Sequence, residues 1–117
     1  ANRAVVRALI EGVFIAGRGS MDDTVSASYI EHDLRRTSGR AGWSADLTPG
    51  GLTEYQRLHR VLAEGNFVLG VSEGANLGVP CALYDLFRVD AGKVVEHWST
   101  IEKIAPAHLW KNNNGKF

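Results

Sequence analysis

The stretch Val79–Ile101, VPCALYDLFRVDAGKVVEHWSTI, decides the fold. It holds two runs rich in Val, Leu, Phe, Tyr and Trp, split by Asp90-Ala91-Gly92. Such runs around a Gly-bearing turn read as a β-hairpin. A three-residue loop with Gly last predicts a type I turn closed by a Gly bulge, which sets Val89 opposite Lys93. Counting outward, Phe87 meets Val95, Asp85 meets His97 and Leu83 meets Ser99. Side chains alternate across a strand, so these pairs share one face with Cys81 and Ile101. That face is apolar except for Asp85, His97 and Ser99. The other face carries Tyr84, Leu86, Arg88, Glu96, Trp98 and Thr100.

The pattern continues upstream. Phe67–Glu73 is another strand run, and Glu64-Gly65-Asn66 and Asn76-Leu77-Gly78 are turns at hairpin spacing. Residues 54–63 suit either a helix or a strand by periodicity; the turn that follows favours a strand. This predicts a four-stranded antiparallel meander. The first half reads differently. Val6, Leu9, Ile10, Val13 and Phe14 recur at helical spacing, so residues 1–17 form an amphipathic helix stopped by Gly17 and Gly19. Ser20 or Asp22 caps a second, short helix over about residues 22–28, with Tyr29–Asp33 as its extended exit. Residues 34–52 are polar and broken by Gly39, Gly42, Pro49, Gly50 and Gly51, with helical turns over Arg40–Asp46. Helices first and strands after make an α+β plan in one domain over residues 1–117.

Composition removes several functions. Thirteen Lys and Arg balance 13 Asp and Glu, so there is no basic footprint for nucleic acid or an anionic membrane surface. An apolar content of 44% with 22% charge is that of a globular chain rather than a disordered one. Cys81 is the single cysteine, so no disulfide forms within the chain. Arg3, Arg7 and Glu11 interrupt the apolar N-terminal run, which makes neither a signal core nor a membrane span. A soluble, cytoplasmic protein is the expectation.

The candidate chemistry sits on the apolar face of the last hairpin. Asp85 and His97 are a carboxylate and an imidazole in poor solvation, the kind of coupled pair that proton transfer uses. A structural pair that pins strand register is the competing reading. One of His32 and Asp33 points inward from the extended segment. His59, two positions from Val61, is in phase with a buried face. Cys81, Phe87, Ser99 and Ile101 line the same interior, and Glu73 faces either the cavity or the sheet edge. Arg35, Arg36 and Arg40, balanced by Asp33 and Asp46, read as a solvated loop. No two His stand at helical ligand spacing and no Cys pair exists, so no metal is expected.

Tyr29-Ile30-Glu31-His32, His59–Val68, Tyr84–Val89, Lys93–Trp98 and the closing Asn-Asn-Gly-Lys-Phe together resemble the SnoaL-like family of the nuclear-transport-factor-two-like superfamily. The resemblance implies a cone-shaped fold, in which N-terminal helices pack on a strongly curved, mostly antiparallel sheet around a pocket. It makes residues 54–63 a strand. It implies a homodimer through the outer sheet face and a small apolar ligand inside. It also implies cofactor-independent acid/base chemistry of the aldol cyclase or isomerase type on a carbonyl compound. Asp85 matches the inward Asp of steroid isomerases in that superfamily. The implied catalytic set is Asp85, His97 and His32, with Asp33, His59, Cys81, Phe87, Ser99 and Ile101 around the substrate. Ser99 stands where the family commonly has Asp after Glu-His-Trp. That departure favours the alternative, a non-catalytic binding or dimerisation domain of the same fold.

Overall fold

A computed structural model describes residues 1–18, 20–47 and 53–117, with side chains omitted at 44–47. The Gly19 stop and the Pro49-Gly50-Gly51 break therefore lie outside the described residues, as does the Asp46 side chain that would supply the counter-charge.

The chain begins with helix α1, Asn2–Arg7, which continues in a wider helical form over Ala8–Ile15. Its end shows the widening: the Ala16 N–H reaches back five residues to the Glu11 carbonyl at 3.1 Å. Val6, Leu9, Ile10 and Phe14 are buried, which is the face the spacing predicts. Five strands follow: β1 (Val25–Glu31), β2 (Thr53–Glu64), β3 (Phe67–Asn76), β4 (Val79–Asp90) and β5 (Lys93–Lys103). They form one sheet in the order β1-β5-β4-β3-β2. Helix α2, Arg40–Leu47, lies between β1 and β2 in sequence. The four-stranded meander and the helical turns near residue 40 are as the sequence predicts.

Residues 22–28 are not a helix. Ser20 does cap, accepting the Asp22 N–H at 3.0 Å, but the cap starts only the single turn Met21–Asp23. From Val25 the chain is a strand that pairs parallel to β5, with Val25 beside Val94 and Glu31 beside His97. Val25 and Tyr29 are buried while Ala27 and Ser28 are exposed. A segment this short has no strong helical preference, and the open edge of β5 supplies backbone partners that a helix would forgo.

The last hairpin differs in register. Asp90 pairs with Lys93, so the loop is the two residues Ala91 and Gly92, with φ of 51° and 78°. Both central residues at positive φ is the type I′ pattern, whose twist matches that of the strands. The bulge lies outside the loop: Val89 pairs with Val94 and Arg88 with Glu96, leaving Val95 unpaired. Phe87 therefore faces His97, and Asp85 faces Ser99. Beyond the bulge the two one-residue differences cancel in parity, so side chains from Glu96 on keep their expected faces. At the turn Val94 takes the place expected for Lys93 opposite Val89 and is buried, while Lys93 is exposed.

The sheet curves around α1. Gly70 on the inner face of β3 permits the approach, since a Cβ there would meet Ile10 Cδ1; Gly74 on the same face makes room for β2, since a Cβ there would clash with the Glu54 carbonyl. Among the described residues no helix is long and apolar enough to cross a membrane.

Candidate functional site

The interior carries a continuous polar chain. His97, fully buried on β5, presents both ring nitrogens to carboxylates. Nε2 is 2.7 Å from Asp85 Oδ1, and Nδ1 is 2.7 Å from Glu31 Oε2. A ring protonated at both nitrogens satisfies both contacts. Asp85 is fixed on its other oxygen by the Tyr55 hydroxyl, which donates to Oδ2 at 2.8 Å. Glu31 also accepts the Tyr29 hydroxyl at 3.1 Å, the Asp33 backbone N–H at 3.0 Å and Arg36 Nη1 at 3.3 Å. Side-chain exposures of 1% for Glu31 and 5% for Arg36 mean that these charges have each other rather than water. Two carboxylates, an imidazolium and a guanidinium balance, which is the condition under which buried charge is tolerated.

The charges tune one another. Burial opposes charging His97, but the hydrogen bonds to Asp85 and Glu31 and their negative charge outweigh it and raise its pKa. Burial pushes Glu31 up, while the His97 hydrogen bond and charge, the Asp33 N–H and Arg36 prevail and hold it below the usual range. Tyr29 is pushed up by burial and by Glu31. At Asp33 burial again works upward but loses to hydrogen bonds from Arg35 and Ser99, so its carboxyl stays strongly acidic. Burial raises the Cys81 thiol, with Arg35 acting in opposition.

Asp33 anchors a second group at the end of β1. Arg35 grips it with two bonds, Nε to Oδ1 at 3.0 Å and Nη2 to Oδ2 at 2.7 Å. Ser99 Oγ donates to Asp33 Oδ2 at 2.7 Å. The arginine segment is thus not simply a solvated loop: Arg36 is buried against Glu31 and Asp33, whereas Arg40 holds exposed Asp22. Cys81 and Phe87 are buried on the same inner face, and Ile101 packs against its edge.

Two predicted residues lie elsewhere. His32 is on the outer side, stacked on Trp98 at 4.8 Å with Nε2 2.6 Å from Glu96 Oε2. Asp33 is the inward member of that pair. His59 falls at a bulge in β2, between Leu58 paired with Ser72 and Arg60 paired with Val71. The extra residue breaks its phase with Val61. Its ring turns outward, 2.9 Å from Glu73 and stacked on Phe117 at 4.2 Å. Glu73 accordingly faces outward, not into the interior.

Sequence reading missed Glu31, Arg36, Trp43 and Tyr55 as site residues. The signal for Glu31 was present: in an extended segment Tyr29, Glu31 and Asp33 fall on one face. Trp43 packs directly over the cluster, 4.3 Å from the His97 ring and 6.0 Å from Phe87. Its indole Nε1 is buried with no hydrogen-bond partner among the described residues, as is Ser72 Oγ on β3. Each such orphan costs about 1–3 kcal/mol. Among the described residues no three His, Cys, Asp or Glu side chains are arranged to hold a metal ion. Cavities of about 280 and 740 Å³ sit at the C-terminal end around Lys103 and Trp110, and neither is lined by the His97 cluster.

N-terminal helices packed on one curved, mixed five-stranded sheet make an α+β architecture that is similar to the nuclear-transport-factor-two-like fold. Solved structures share it. An NTF-2 like protein of unknown function from Burkholderia xenovorans superposes with a TM-score of 0.70 at 21% identity, covering 97% of this chain and 95% of that one. IdmH from Streptomyces antibioticus, a candidate polyketide cyclase, gives 0.64 at 17% identity, with 86% and 91% covered. A candidate SnoaL-like polyketide cyclase from Jannaschia gives 0.64 at 19%, with 86% and 84% covered. At these identities the likeness is one of fold. No family model and no curated protein sequence matches the chain.

Proposed function

We propose that the protein is a cofactor-independent acid/base catalyst acting on a small apolar carbonyl compound. The observation that carries this reading is Asp85, buried in an apolar interior with His97 Nε2 on one oxygen and the Tyr55 hydroxyl on the other. In the proposed reaction Asp85 takes a proton from the carbon next to the carbonyl. The C–H electron pair moves to the carbonyl oxygen, and the Tyr55 O–H turns to hydrogen-bond the resulting enolate. Return of the proton to another carbon gives an isomer. Alternatively, the enolate carbon attacks a second carbonyl of the same molecule, that carbonyl's π pair moves to its oxygen, and the new alkoxide takes the proton back from Asp85, giving ring closure and restoring the carboxylate. His97, clamped by Glu31, positions Asp85. Ser99 is committed to Asp33 and His32 lies outside, so neither enters the step.

The test uses 2-tetralone, a fused-ring ketone, in deuterated water. Proton NMR should show its α-hydrogens exchanging faster than in buffer, and Asp85→Asn should return the rate to background. Equal exchange by wild type and Asp85→Asn would sink the reading. A second reading, ligand binding without chemistry, is favoured by Trp43 closing over the His97 ring. It expects 2-tetralone to bind with no exchange above buffer.

We further propose a homodimer through the outer sheet face. The register sets Leu62 beside Leu69, Leu69 beside Leu86 and Leu86 beside Trp98, an apolar row running across four strands. A second copy covers such a row with its own. Sedimentation should give a dimer that Leu69→Asp dissociates; a wild-type monomer at high concentration would refute it.

A further inference from the structure

Trp43 is packed among four rings of the interior. Its ring centre is 4.3 Å from His97, 6.0 Å from Phe87, 5.4 Å from Tyr29 and 4.9 Å from Phe14. The Arg36 guanidinium stands 5.3 Å from the ring centre. The side chain is fully buried, yet its N–H meets no acceptor among the described residues. A buried indole ordinarily satisfies that donor. Packing and hydrogen bonding thus disagree at this residue: its faces are covered, its donor is not. An outward swing would give the N–H to water and leave a slot walled by aromatic rings, with Tyr55 and Asp85 beyond His97. The segment that carries Trp43 suits such a swing. Helix α2 is eight residues long and is entered through the turns after Asp33, where Gly39 has φ of 94°.

We propose that Trp43 is a displaceable plug holding the ligand's place, and that the ligand is a flat, fused-ring carbonyl compound at least as large as indole. This rests on the reading of the Asp85–His97–Glu31 cluster as the ligand site. Such a compound keeps the stacking that the indole now provides and brings the oxygen that the indole lacks. Because the ligand binds the open form, its apparent affinity is lowered by the fraction of molecules that are open.

The experiment labels the full chain with 5-fluorotryptophan and follows fluorine NMR. Trp98→Phe and Trp110→Phe assign the signals. Saturating 2-tetralone should move the Trp43 signal to the position of a water-exposed indole. Trp43→Ala should bind 2-tetralone at least ~10-fold more tightly than wild type, and the milder Trp43→Leu should also bind more tightly. Bound 2-tetralone with an unmoved Trp43 signal overturns the plug and leaves the site reading standing. Affinity unchanged in both variants, or no binding by wild type and Trp43→Ala alike, also overturns it. Conversely, a displaced Trp43 together with undiminished α-hydrogen exchange by Asp85→Asn retires the catalytic reading and leaves the plug.

Discussion

Glu31 and His97 sit side by side on the parallel strands β1 and β5, with Oε2 2.7 Å from Nδ1. The contact joins residues 66 apart in sequence and completes a ring that Asp85 holds from the other side. It is the joint between the edge strand and the meander. Removing the carboxylate leaves the imidazole with one partner in a dry interior. Glu31→Leu should destabilise the fold by about 3 kcal/mol, since breaking a buried pair strands its mate. Glu31→Gln, which keeps an acceptor, should cost less. Urea unfolding at pH 6 compares them, and equal stability of Glu31→Leu and wild type would contradict the assignment.

The same cluster sets a pH profile. His97 has a folded pKa raised above its usual 6.5, so its contribution is complete below that value and is lost as pH rises through the folded pKa. Glu31 and Asp33 are lowered from 4.5 and 3.8, so theirs is present above those values and is lost as pH falls through the folded ones. Stability should be greatest between about pH 4.5 and 6.5 and decline on both sides. Denaturation midpoints across pH 3 to 9 test this. His97→Gln should flatten the alkaline limb, and a limb identical to wild type would rule His97 out as its source.

Tyr55 separates positioning from chemistry. Tyr55→Phe removes one hydrogen bond to Asp85 and should cost stability about 1 kcal/mol. If its hydroxyl holds the enolate, α-hydrogen exchange should fall by about 100-fold or more. Exchange that drops no further than the folded fraction does would assign Tyr55 a structural role alone.

Two of the three tight turns of the meander carry removable strain. Leu77 and Ala91 have φ of 52° and 51°, a region that disfavours side chains with a Cβ. Leu77 is also 72% exposed, so nothing is lost from the core on replacing it. Leu77→Asn and Ala91→Gly should each raise stability by about 0.5–1 kcal/mol. A lowered denaturation midpoint in both would argue against the type I′ geometry.

Gly74 predicts the opposite. A methyl group there would coincide with the Glu54 backbone carbonyl, which a strand pairing fixes in place. Gly74→Ala should lose at least ~2 kcal/mol or fail to fold. Gly70→Ala meets only the end of the Ile10 side chain and should be milder. The ranking of the two midpoints is the test.

The residues alone determined the local features: the face of α1, the strand runs, the turn positions and the inner face that holds Asp85 and His97. Alternation and helical spacing are properties of neighbours in sequence, and parity survives a register change of two residues, which is why Asp85 meets His97 diagonally although Phe87 stands directly opposite it. Tertiary structure decided the rest. Whether residues 25–28 became helix or strand depended on an open edge of β5 more than 60 residues away, and pairing along that edge set Glu31 beside the imidazole. The bulge at His59 turned its ring outward against Phe117. Arg36 and Trp43 entered the core because two buried carboxylates required a second cation and the cone required filling. Burial and charge balance are sums over the whole fold, so a neutral sequence could not disclose that its neutrality is repeated, residue against residue, around one histidine.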